Sequence, residues 1–250
     1  MATSNQPWFP MNTNIRSEWK EAVVPLSFAI LAAAGLLSLA SDASAAELTG
    51  SATLTSDYVW RGSSQTMEKP AVQAGIKLAG ESGLYASAWG SNVRFASATD
   101  AASEFDLTIG WGRKLGKDWA LDVSALRYIY PDTRGLDWNE VNASATWRDR
   151  AWLGVGHSSN AMATHGNGTY VSAGVRIPAN DELRFEAGAA HYALSDALGD
   201  YTHGWASAVW AFKAPFEARL TVHGTDGAAK ARFGREVAGT RIEAALQAAF

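Results

Sequence analysis

The stretch that ends the chain, Thr240-Arg241-Ile242-Glu243-Ala244-Ala245-Leu246-Gln247-Ala248-Ala249-Phe250, alternates apolar with polar residues and stops on a bare aromatic. Read with a period of two, Ile242, Ala244, Leu246, Ala248 and Phe250 share one face, and Arg241, Glu243 and Gln247 share the other. Chain ends in water are usually polar and frayed, so an amphipathic strand anchored on a terminal Phe calls for an apolar solvent. The competing reading is an Ala-rich amphipathic helix, because Ile242, Leu246 and Phe250 also stand four apart. The rest of the chain decides between them.

Ahead of that stretch the same rhythm recurs. Strands are expected over residues 48–61, 84–93, 103–113, 119–130, 138–147, 152–158, 169–177, 201–212, 216–225 and 240–250, with two more around Val72–Leu78 and Leu183–Tyr192. On the first, Leu48, Ala52, Leu54, Tyr58 and Trp60 fall on the apolar face, and Tyr58 and Trp60 are read as an aromatic pair at a membrane interface. The facing of residues 84–93 and 201–212 stays open, because aromatics occur on both parities. Connections of seven or more residues follow odd strands, and turns of about three to five follow even ones. Twelve strands with long and short connections in strict alternation predict an all-β fold, a closed antiparallel transmembrane β-barrel with both termini on the periplasmic side. A soluble sandwich would show the same alternation but does not predict the length rule.

The N-terminal residues read as an export signal. Arg16 and Lys20 precede an apolar run over residues 22–40, and Ala43-Ser44-Ala45 supplies small residues for cleavage. Residues 1–46 are thus expected to be a cleaved signal peptide and residues 47–250 the outer-membrane barrel, with Met11 an alternative start and an uncleaved anchor the competing reading. The 11 Trp suit side chains placed at a membrane surface. A net charge of -4 without a Lys/Arg run argues against nucleic acid as a partner, and the absence of Cys removes disulfides and thiolate chemistry. The expected partners are outer-membrane lipid, the barrel-assembly machinery acting through the C-terminal strand and its Phe250, and small hydrophilic solutes.

The run Thr55-Ser56-Asp57-Tyr58-Val59-Trp60-Arg61-Gly62-Ser63-Ser64-Gln65-Thr66, followed by Lys69-Pro70-Ala71-Val72-Gln73, resembles the TorF family of bacterial porins. The resemblance continues through Trp89-Gly90-Ser91-Asn92-Val93, Glu104-Phe105-Asp106-Leu107 and Tyr128-Ile129-Tyr130-Pro131, and fades after Asn160. It implies an outer-membrane barrel that forms a pore.

The polar faces collect charges of both signs. Asp57, Lys77, Glu104, Asp106, Asp122, Glu140, Arg184, Glu186 and Arg219 are the expected pore-lining residues, with Arg176, Glu217, Arg241 and Glu243 on the same faces. Such charges either line a water-filled channel or pair across it and plug it. The excess of acids tilts an open channel towards cations. Two other function classes compete with a passive, porin-like channel. One is a closed barrel serving as an adhesin or structural membrane protein. The other is a hydrolase, because His157-Ser158-Ser159-Asn160 resembles the His-x-Ser-Asn run of outer-membrane lipid A deacylases, with His157 as base and Ser159 as nucleophile. The third member of such a triad is doubtful, since no acid follows Ser159 until Asp181. No cofactor or metal is expected, the five His being scattered without ligand spacing.

Overall fold

The computed structural model describes residues 46–95, 100–131, 133, 135–195 and 199–250. The expected signal peptide lies outside the described residues. Among them, twelve long strands close into one antiparallel barrel: β1 (Glu47–Thr55), β4 (Ala71–Ala79), β5 (Leu84–Asn92), β6 (Ser103–Leu115), β7 (Trp119–Ile129), β8 (Trp138–Trp147), β9 (Ala151–Ser158), β10 (Gly168–Pro178), β11 (Leu183–Leu194), β12 (Tyr201–Lys213), β13 (Phe216–Thr225) and β14 (Arg241–Ala249). Each strand pairs with its chain neighbours, and β14 closes on β1 with Leu246 opposite Leu54. The last stretch is therefore a strand and not the helix it could have been. Sequential antiparallel pairing needs only tight turns at one rim, and these are the short connections seen in the sequence.

The outward face is greasy. Leu48, Ile109, Val141, Leu153 and Ile242 are each more than half exposed, and similar residues recur on every strand. A closed sheet whose outside is an apolar belt satisfies every backbone group internally while presenting hydrocarbon to hydrocarbon. No helix among the described residues is long and apolar enough to cross a membrane. At the short-turn rim the belt ends in exposed aromatics: Trp119 and Trp147, paired across β7 and β8, then Trp210, Phe212, Phe216 and Phe250. Rings at that level sit where hydrocarbon meets head-groups. Phe250 lies across Gly50, whose bare Cα leaves room for the ring, and the two residues exchange backbone hydrogen bonds.

The inward face carries two surprises for a period-two reading. Tyr85 and Trp89 of β5, and Tyr201, His203 and Val209 of β12, point into the barrel and are buried. Both strands keep their phase; their large apolar residues simply have something inside to pack on.

For Trp89, Tyr201 and His203 that something is the connection after β1. The strand stops at Thr55, and residues 56–66 fold back into the lumen, where β2 (Val59–Trp60) and β3 (Ser63–Ser64) form a miniature hairpin. Its two-residue turn is Arg61-Gly62, with φ of 47° and 84°. Positive φ at both positions is the signature of a type I′ turn, whose twist matches a hairpin. Glycine is required at the second, because a Cβ there would come 2.7 Å from Thr225 and 2.8 Å from His203. Tyr58 and Trp60 are consequently 3% and 6% exposed, inside the barrel. The expectation that they form an outward interfacial pair is thus corrected: they continue the parity of Leu54 in sequence, but the chain has already left the ladder. A second element absent from the sequence reading is the helix α1 (Gly227–Phe233) in the last long connection, capped by Asp226, whose side chain accepts from the Ala229 N–H at 2.9 Å.

Candidate functional site

The lumenal hairpin is held by charge and hydrogen bonds as well as by packing. Arg61 crosses the lumen to β8 and donates through Nη2 to both oxygens of Glu140, at 2.7 and 2.8 Å. Both side chains are wholly buried. The guanidinium also lies 4.0 Å from the centre of the Tyr170 ring and 4.6 Å from those of Trp60 and Tyr192. Burial by itself disfavours its charged form, but the adjoining Glu140 carboxylate more than offsets this, so the pKa of Arg61 stands above its ordinary value.

Asp57 ties the hairpin together. It accepts from the hydroxyls of Ser64 and Thr66 and faces Arg241 of β14 at 3.6 Å. Its pKa is raised by burial, against the pull of those hydroxyls and of Arg241. Tyr58 donates to Glu104 on β6 at 3.2 Å, and its ring meets Trp89 edge-on at 5.4 Å. The barrel supplies an aromatic shell around Trp60, from Tyr128, Trp138 and Tyr192, with Tyr128 stacked on Trp138 at 4.0 Å. Backbone bonds complete the attachment: Ser64 N–H to the Val237 carbonyl at 2.8 Å, and Arg94 N–H to that of Gln65 at 2.7 Å.

The expected pore-lining residues all lie on the lumenal side of the barrel, but in two groups. Asp57, Glu104, Asp106 and Glu140 sit towards the long-loop end and are only 2–3% exposed. Asp57 belongs to the plug itself and not to the barrel wall, while Glu104, Asp106 and Glu140 are packed around the hairpin and do not face open water. A side chain on the wall of an unobstructed channel would be touched freely by solvent, so the hairpin acts as a plug at this level. Towards the short turns, Glu186 accepts from Arg176 at 3.0 Å, from Arg184 at 2.9 Å and from Arg219 at 2.8 Å, while Arg184 also donates to Glu217 at 3.0 and 3.1 Å. Across the lumen, Lys77 lies 3.8 Å over the Tyr85 ring, and the Tyr85 hydroxyl donates to Asp122 at 3.0 Å. Trp152 and Trp205 lie inside the barrel against Gly174 and Gly188, a glycine pair on β10 and β11 that leaves space for both indoles.

His157 and Ser159 are not assembled into a catalytic centre by the described residues. His157 is exposed, and its Nδ1 bonds to Thr169 at 2.9 Å, while Ser159 is exposed beyond the end of β9. No group of three or more His, Cys, Asp or Glu among the described residues is disposed to hold a metal.

Two solved barrels of the same architecture align over nearly their whole length. The NanC porin matches with a TM-score of 0.52 at 10% identity, covering 82% of this chain and 99% of that one. The KdgM porin matches with a TM-score of 0.51 at 7% identity, covering 81% and 99%. At such low identity what is shared is the fold. No curated protein matches in sequence. A family model described as a bacterial protein of unknown function, Gcw_chp, matches residues 39–250. That span takes in the plug and all twelve barrel strands, and the chain belongs to the Gcw_chp family.

Proposed function

We propose that this protein is an outer-membrane channel of porin type, passing small hydrophilic solutes or ions by diffusion, with residues 56–66 as a resident obstruction. One observation carries the reading: a polar, charged wall runs through a closed barrel, and what occupies its upper half is a segment of the chain itself, held by groups that can exchange their partners for water. Plain structural filler would be expected to be apolar, since buried ion pairs add little stability over well-packed hydrocarbon. Displacing the plug tip would uncover the Glu104, Asp106 and Glu140 wall and join it to the lower charged group. Membership in the TorF group, delivery by the barrel-assembly machinery through β14 and Phe250, and lipid contact along the outer belt belong to the same proposal.

Planar-bilayer recording on the purified protein tests it. Rare or small openings in the wild type, and a larger steady conductance when residues 57–69 are replaced by a short Gly-Ser turn, are expected. A folded, inserted barrel that stays silent in both forms would favour the second reading, a closed barrel that displays its loops, which the filled upper lumen also fits.

A further inference from the structure

Above the plug, at the long-loop end, the structure holds a cavity of about 350 Å³, within the range of small-molecule sites. Its floor is the hairpin, through Trp60, Ser64 and Gln65, and its walls are largely rings: Tyr130, Trp138 and Phe233. These rings meet one another edge-on, Trp60 with Trp138 at 6.1 Å and Tyr130 with Phe95 at 5.7 Å. One face of Trp138 is stacked on Tyr128 at 4.0 Å, and a ring face left uncovered attracts cations.

The polar groups bias the site the same way. Glu104 lines the cavity, 2% exposed, and is hydrogen-bonded to the Tyr58 phenol, to Tyr130 and to Asp106. Asp106 follows on the same face of β6, 2% exposed, behind the lining and hydrogen-bonded to Glu104. The guanidinium set into this region, Arg61, is engaged by both oxygens of Glu140. Arg232 stands at the rim, donates to the Gly199 carbonyl at 2.9 Å and lies against the Phe233 ring. Among the residues that line the cavity the charged side chains are Glu104, set deep beneath the aromatic walls, and Arg232 at the rim. An ammonium would meet π faces on the walls and carboxyl oxygen at Glu104.

We infer that this cavity binds small organic cations carrying an aromatic or apolar ring, with the charge directed at Glu104 and the ring against Trp138 and Phe233. The inference deepens the channel reading by naming a solute class. Its test reads binding and not conductance, so either can fail without the other.

The purified protein in detergent is titrated with benzyltrimethylammonium, benzyl alcohol and phenylacetate while tryptophan fluorescence is followed. The cation is expected to produce a saturable change at a concentration about tenfold below that of the alcohol, as a desolvated cation–π contact implies, with phenylacetate weaker still. Glu104→Gln, which keeps an acceptor for Tyr58, should bring the cation down to the alcohol's affinity and leave the alcohol unchanged. Phe233→Ala, at the rim and away from the plug, should weaken both. Phenylacetate binding as well as the cation, a preference that survives Glu104→Gln, or no saturable change with any probe in a barrel that is folded by circular dichroism, would overturn the assignment.

Discussion

Glu140→Ala gives the sharpest test of the plug. With Glu140 gone, Arg61 keeps its place among the Tyr170, Trp60 and Tyr192 rings but has lost the carboxylate that bound it at 2.7 and 2.8 Å with both side chains wholly buried. Leaving one partner of such a pair uncompensated typically costs about 3–5 kcal/mol. The ring faces still cradle the guanidinium and recover some of this, so the lower end, about 3 kcal/mol, is the better figure. The penalty falls on the plugged state alone, because Arg61 is free to hydrate once the tip leaves its pocket. At 1.4 kcal/mol per factor of ten, the ratio of open to plugged channels should rise about a hundredfold. Single-channel recording at fixed voltage reads that ratio directly as open fraction. Exchanging the charges, Arg61→Glu with Glu140→Arg, should pull it back towards the wild type. An inserted Glu140→Ala barrel with the open fraction of the wild type would refute the claim that this ion pair holds the plug.

Other expectations follow from the same geometry. Gly62→Ala places a methyl against Thr225 and His203 at a φ of 84°, and should raise the open fraction without lowering the barrel's melting temperature by more than a few degrees. Gly188→Ala meets the Trp205 ring at 2.5 Å and the Ala173 carbonyl at 2.8 Å; it should cost about 1–3 kcal/mol of barrel stability, as overpacking does, measurable by urea unfolding in lipid vesicles. With residues 57–69 removed, the carboxylates left on the wall outnumber the cations, so the reversal potential in a KCl gradient should take the sign of K⁺ preference; Cl⁻ preference would contradict this. Removing Phe250 uncovers Gly50 and deletes two backbone bonds at the seam, and should lower the yield of folded barrel in refolding from urea.

Much of the architecture was legible because lipid outside and water inside enforce a period of two. Residues 138–147 show it plainly: Val141, Ala143, Ala145 and Trp147 alternate with Glu140, Asn142, Ser144 and Thr146, and the structure keeps that phase. The rule failed where the inside is not wet. Trp89 and Tyr201 face inward against the plug and its shell, and Tyr85 faces inward between Lys77 and Asp122, so hydrophobicity no longer marked the lipid side. The plug itself was hidden because Tyr58 and Trp60 happen to extend the parity of Leu48, Ala52 and Leu54. The available warning was Arg61-Gly62, a turn in the middle of an expected strand end, within a run too particular to be simple alternation. The pairing of Arg61 with Glu140 had no local signal: the two are 79 residues apart, and only the curvature and stagger of the closed barrel select that carboxylate from the others nearby. The helix α1 was announced by Asp226 ahead of Gly-Ala-Ala-Lys, an N-cap signature in a segment read as loop.

The stem of the hairpin also works as a fastener. Where β1 meets β14 only five residue pairs are in register, against nine between β1 and β4. Just past that short overlap Ser56 bonds to Ala244 through both its N–H, at 2.8 Å, and its hydroxyl, at 2.9 Å, Thr55 donates to Glu243 at 2.9 Å, and Asp57 faces Arg241. Withdrawing the whole insert would therefore unbutton the wall along its weakest join. A plug that moved would do so at the head beyond Asp57, on a stitched root, and the bore it opened would be a slot beside a tethered latch and not the full circle of twelve strands.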